Sequence, residues 1–107
     1  MSKYRAIKTE FNGITFDSKK EAVYYRHLKL LMKAKSRNER VIEIILQPRF
    51  DIVVNDCKIG FYKADFQVYY ADGTQEIIDV KGYIRTPVYR LKKKLVEAIY
   101  GIRIIEV

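Results

Sequence analysis

The sequence predicts an α/β (α+β) domain, a mixed sheet flanked by helices, on three observations. Apolar residues recur at helical spacing in two segments, near residues 18–35 and 86–101. Between them lie β-branched runs punctuated by turn residues. A strand, a helix and a further strand then follow one another at a spacing that implies a right-handed parallel crossover. The expected order is α-β-β-β-α-β after a small N-terminal hairpin. A chain of 107 residues has room for one core, so residues 1–107 read as a single domain with 1–17 as its arm and hairpin.

The elements justify themselves in turn. Asn12-Gly13 between apolar neighbours is a hairpin signal. Ser18 and Glu21 have the S-x-x-E spacing of a capping box and open a helix expected to run to about Lys35, with Ala22, Tyr25, Leu28, Leu31 and Met32 on its core side. Val41 to Leu46 reads as a strand ended by Gln47-Pro48, and Arg49 to Val54 continues extended to a turn at Asn55-Asp56. Phe61 to Tyr70 and Thr74 to Lys81 form the next strand pair, closed by Gly82. Thr86-Pro87 has the chemistry of a helix start, Val88, Leu91, Leu95 and Ile99 form a stripe, and Gly101 suits the C-terminal cap. Ile102 to Val107 is the last strand.

Composition narrows the chemistry. Lys and Arg number 21 against 13 acids, a net charge of +8, which favours a polyanionic partner such as nucleic acid. Cys57 and His27 each stand alone, too few for a zinc site or an internal disulfide. No apolar run approaches the roughly 20 residues that span a bilayer, and no hydrophobic segment follows the basic start, so a cytoplasmic protein with no membrane partner is expected.

The hairpin around residues 71–73 is where pattern becomes chemistry. With Asp72-Gly73 as a two-residue loop, Asp65 opposes Val80 and the acids part. With Ala71-Asp72-Gly73 as a three-residue loop, Lys63 faces Lys81, Asp65 faces Asp79 and Gln67 faces Ile77. Two carboxylates and an ammonium then share one face, while Ala64, Phe66, Val68, Ile78 and Val80 line the other; this segregation favours three residues. Paired acids repel unless a cation lies between them, and carboxylate oxygens suit magnesium or manganese. The plainer reading makes Asp65 a salt-bridge partner of Lys63 or Lys81, but an acid set in an apolar strand needs more than a solvated role.

Glu21, Lys63-Ala64-Asp65-Phe66 and Ile78-Asp79-Val80-Lys81-Gly82 together resemble the restriction-endonuclease-like PD-(D/E)xK nuclease superfamily. Within it the chain looks like phage endonuclease I and related Holliday-junction resolvases, and like a small family of phage and prophage proteins sharing Gly13 to Glu21 and Asp79-Val80-Lys81-Gly82. The likeness runs from Tyr4 to Val107. It departs from the family pattern at Ala64, where proline is usual, and at Asp79, where glutamate is common. The resemblance implies a restriction-endonuclease-like core and a Mg2+-dependent DNA endonuclease in which Mn2+ substitutes. It implies Asp65, Asp79 and the Val80 carbonyl as metal ligands, Glu21 as a metal-associated carboxylate acting through water, and Lys81 as the catalytic lysine. A phage-encoded enzyme of this kind would work in the host cytoplasm.

Glu21 has two readings, a helix cap and a metal-associated carboxylate, and both can hold. Gln47 reads as a local hydrogen-bonding group near the site. Lys19 and Lys20 on the first helix, Tyr83 and Arg85 after the catalytic strand, and Arg90, Lys92, Lys93 and Lys94 on the second helix are candidate DNA contacts, weighed against plain solvated faces. Three functions stay open: a structure-selective nuclease for branched DNA acting as a homodimer, a nuclease without branch preference, and a non-enzymatic nucleic-acid-binding protein on a nuclease scaffold.

Overall fold

Turn chemistry sets the architecture. In a computed structural model, which describes residues 8–81 and 85–107, Asn12 and Gly13 both adopt positive φ, 53° and 77°, as a two-residue hairpin turn requires. They join β1 (Thr9–Phe11) to β2 (Ile14–Phe16). Ser18 caps α1 (Lys19–Leu30), its Oγ accepting from the Glu21 amide at 3.0 Å. The helix tightens into a 3-10 turn at Leu31–Lys33, ending short of the expected Lys35. Among the described residues there follow β3 (Val41–Leu46), β4 (Arg49–Val54), β5 (Cys57–Lys63), β6 (Phe66–Tyr70), β7 (Gln75–Asp79), α2 (Pro87–Tyr100) and β8 (Ile104–Glu106).

The main sheet has the order β3-β6-β7-β8. Its first two pairings are antiparallel and β7 runs parallel to β8, with Ile78 opposite Ile105. The fold is therefore α+β with a mixed sheet and a small N-terminal hairpin, as the patterning implied. Thr86 caps α2 by accepting from the Tyr89 amide at 3.1 Å, Pro87 follows it, and Gly101 closes the helix at φ 66°. Thr86→Ala is expected to cost about 1 kcal/mol of stability, read from the urea midpoint. No described helix is long and apolar enough to cross a membrane.

Three expectations are corrected. Residues 61–70 are not one strand: the segment divides at Ala64-Asp65, and β5 pairs with β4 as a separate two-stranded hairpin. Lys63 consequently faces Arg49 rather than Lys81. The cause lies at the end of β3, where Gln47 takes φ 50° and Pro48 brings no amide, so the chain leaves the sheet. The two legs of the excursion are pinned where they depart, Gln47 N–H donating to the Asp65 carbonyl at 3.0 Å and Ala64 N–H to the Pro48 carbonyl at 3.1 Å.

The second correction follows from the first. The sheet is covered on both faces, α1 packing over Phe66, Val68, Ile78 and Val80. Ala64 joins the other core instead, with Ile52 and Tyr62 of the excursion, Ile77, Ile104 and Val96 of α2. The third concerns α2. Val88 and Leu91 are 63% and 61% exposed and Ile99 is exposed too, whereas Val96 is fully buried and Tyr89 and Leu95 pack beside it. Of the expected stripe, Leu95 alone joins the core, because this helix carries apolar residues on more than one side.

Candidate active site

The site begins with the β6–β7 register. Phe66 lies opposite Ile78 and Gln67 opposite Ile77. The pairing ends there, and Asp65 N–H bonds the Ile78 carbonyl at 3.1 Å, so Asp65 stands beside Asp79 at the end of the ladder without being paired with it. That register comes from a three-residue loop, 71–73, closed by Tyr70 N–H to the Thr74 carbonyl at 2.9 Å and Gly73 N–H to the Tyr70 carbonyl at 3.0 Å. Gly73 has φ 91°, a conformation that disfavours a side chain. The two-residue alternative is not the one adopted.

Asp79 is 3% exposed, the fully buried charged residue among those described. A carboxylate in that position needs partners on both oxygens. Oδ2 accepts a hydrogen bond from the Tyr62 hydroxyl, and Oδ1 lies 3.3 Å from Lys81 Nζ. Burial, followed by Asp79 itself, pushes the Tyr62 phenol far above its ordinary range, so it stays a donor. Lys81 Nζ also sits 3.8 Å from the centroid of the Tyr89 ring. The Tyr89 hydroxyl donates to Glu106 Oε2 at 2.6 Å, and Arg85 Nε donates to Glu106 Oε1 at 3.0 Å.

Asp65 caps the end of the same strand pair, its Oδ2 accepting from the Val80 amide at 2.6 Å. The Asp79 carbonyl and the Lys81 amide both bond Val107, so they point toward β8. Alternation along the strand turns the Val80 amide and carbonyl to the opposite edge, toward Asp65. Burial, then the Asp79 carboxyl alongside, pushes Asp65 up to about 8. Glu21 is also raised, by burial first and then by Asp17, with Asp79 adding to the effect and Lys81 opposing it. Glu21, Asp65, Asp79 and Lys81 therefore share one electrostatic neighbourhood. Glu21 and Asp65 line a cleft of about 230 Å³ together with Gln47 and Thr15.

The oxygens gathered here are of the hard kind that magnesium takes. Among the described residues no three carboxylate, imidazole or thiolate groups converge closely enough to enclose an ion. Asp65 and Asp79 can supply two donors, and a third would come from the Val80 carbonyl or, through water, from Glu21. That donor set is of a kind compatible with a hard divalent cation that keeps several waters, and it does not by itself enclose an ion.

The proposed DNA contacts divide. Lys20 reaches the centre, donating to the Lys81 carbonyl at 2.6 Å, and Arg85 stands beside it through Glu106. Lys93 is paired with Glu97 at 3.4 Å, Lys92 leans over Phe61 at 5.6 Å, and Lys19, Arg90 and Lys94 are exposed. Tyr83 lies outside the described residues. Sequence reasoning missed Tyr62, Tyr89 and Glu106. They hold Asp79 and Lys81 from other elements, and only their pairing in space reveals it.

Fold and cluster define a small α+β protein with a buried carboxylate, a second carboxylate and a lysine at the end of its two central strands. The chain belongs to a family of proteins of unknown function, DUF1064, whose model matches residues 1–104. No curated protein and no solved structure gives a significant match.

Proposed function

We propose that this protein is a magnesium-dependent DNA endonuclease with a restriction-endonuclease-like, PD-(D/E)xK core, hydrolysing phosphodiester bonds in branched or junction DNA as a homodimer. One observation carries the reading: buried Asp79 lies beside Asp65 and against Lys81 at the end of the central strands. The net charge of +8 supports a polyanionic substrate.

Asp65, Asp79 and the Val80 carbonyl would hold the ion, with Glu21 reaching it through water. The chemistry such an ion supplies when bound is a coordinated water of lowered pKa and neutralisation of phosphate charge. The protein's own part is positioning. Tyr62 fixes Asp79 by one oxygen, so the carboxylate cannot rotate away. Lys81, steadied between Asp79 and the face of Tyr89, presents an ammonium that can orient the attacking water and offset charge building on the phosphate. Glu21 adds an acceptor in the cleft it lines with Asp65 and would be placed to hold a water there.

The test incubates purified protein with linear, flapped and four-way DNA, with and without magnesium. Cleavage is expected with magnesium or manganese, strongest on branched DNA, and none in the presence of chelator. Cutting that survives chelation would remove the metal from the reading. A second reading, a non-enzymatic DNA-binding protein on the same scaffold, draws on the fact that both Asp79 oxygens already have partners within the chain. It is the outcome if DNA binds and no substrate is ever cut.

A further inference from the structure

The β4–β5 hairpin stands outside the main sheet and has two unlike faces. Inward, Phe50 opposite Tyr62 and Ile52 opposite Gly60 close the second core. Outward, Arg49 opposite Lys63 and Asp51 opposite Phe61 lie on the surface. The Arg49 guanidinium sits 3.9 Å from the centroid of the Phe61 ring, and its Nε donates to Asp51 Oδ1 at 3.2 Å. An arginine braced on an aromatic ring and anchored through Nε has lost much of the rotamer freedom that a phosphate contact would otherwise cost. Lys92 of α2 reaches the same ring, and Lys58 lies 3.6 Å from Asp51, so Asp51 is held between two bases and the patch keeps Lys63 and Lys92 besides.

This surface and the candidate centre share one strand, β5, which contributes residues to each. Tyr62 points inward to Asp79, while its neighbours Phe61 and Lys63 point outward. Lys63 is also two residues from Asp65. A polyanion lying along Arg49, Phe61 and Lys63 would follow β5 to its end, two residues short of Asp65.

We propose that the outer face of the β4–β5 hairpin, Arg49, Phe61 and Lys63 with Lys92, binds the phosphate backbone of the DNA and delivers it to the Asp65, Asp79 and Lys81 centre. The proposal rests on the nuclease reading for its substrate, and the binding itself is tested apart from cleavage. The ring of Phe61 braces the cations, and phosphates rather than bases are the contacted groups, so affinity depends on salt and little on sequence.

The experiment measures anisotropy of a labelled DNA duplex, in chelator, over a salt series. The protein is wild type, the triple variant Arg49→Ala/Lys63→Ala/Lys92→Ala, and a charge-matched control, Lys29→Ala/Lys33→Ala/Lys35→Ala. The hairpin triple is expected to weaken binding at least about tenfold and to flatten the log–log salt slope by about 2 to 3. The control should change affinity less than about threefold. Equal losses in the two triples, or an unchanged slope in the first, would overturn the proposal. Lys63→Glu, a single change at an exposed site, gives the same reading should the triple variant fold poorly, and wild-type affinity in it counts against the proposal. Cleavage with magnesium is scored separately. Protein that binds through the hairpin and never cuts leaves this inference standing and removes the nuclease reading; full-rate cutting of sub-saturating DNA by the hairpin triple does the reverse.

Discussion

Asp79→Asn is expected to lower the single-turnover cleavage rate at least about 10³-fold while leaving DNA affinity within about threefold of wild type. The substitution preserves shape and still offers an oxygen to the Tyr62 hydroxyl, so the buried pocket keeps its packing. What it removes is the charge that would hold a cation and the partner that steadies Lys81 at 3.3 Å. Lys81→Ala should cost a comparable factor by a different route, leaving the carboxylates in place and withdrawing the ammonium from the phosphate. Binding should persist in both because surface cations supply most of the affinity. Rates near wild type in either variant, measured alongside anisotropy in chelator, would discard this cluster as the catalytic centre.

The readability of that cluster in the sequence came from the turn. Gly73 marked a left-handed position, and the segregation of Phe66, Val68, Ile78 and Val80 from Asp65, Asp79 and Lys81 selected one of two registers, the one found from Phe66 opposite Ile78 onward. Caps were equally legible at Ser18, Thr86 and Gly101, where side-chain chemistry acts on its own backbone neighbours.

The excursion was not legible, for a specific reason. Gly60, Tyr62, Ala64, Phe66 and Val68 alternate in one unbroken phase, and all five end up wholly or partly buried. Periodicity reports that a residue faces inward without naming the layer it faces. The one local mark of the break was Gln47-Pro48, which read as the end of a strand and not as the departure of two strands from the sheet. Because that departure went unseen, Tyr62 could not be connected to Asp79, 17 positions away in the chain. The face of α2 failed similarly. Val88, Leu91, Leu95 and Ile99 and the alternative of Tyr89 and Val96 are both apolar, and what selects between them is the position of the β4–β5 hairpin.

Removing a charge at Asp65 should make the metal-free protein more stable. Asp65 is pushed up from an ordinary 3.8 to about 8 by burial and by the neighbouring Asp79 carboxyl. Between those values the folded protein keeps a proton that the unfolded chain has released, so stability must fall as pH rises through the window, the loss being complete above about pH 8. Asp65→Asn escapes this, since its amide can donate toward Asp79 as the protonated acid does while its oxygen still accepts from the Val80 amide. At pH 8 in chelator the variant should exceed wild type by ~2 kcal/mol, roughly 10 °C in Tm for a chain of this size, with the gap closing toward pH 4. Magnesium should raise the wild-type Tm at pH 8 and move the variant much less, because a cation that binds the folded protein stabilises it in proportion to its affinity. Melting curves that coincide for the two proteins from pH 5 to pH 8 would mean that neither burial nor Asp79 penalises a charged Asp65, and with that the physical need for a cation beside them would be gone.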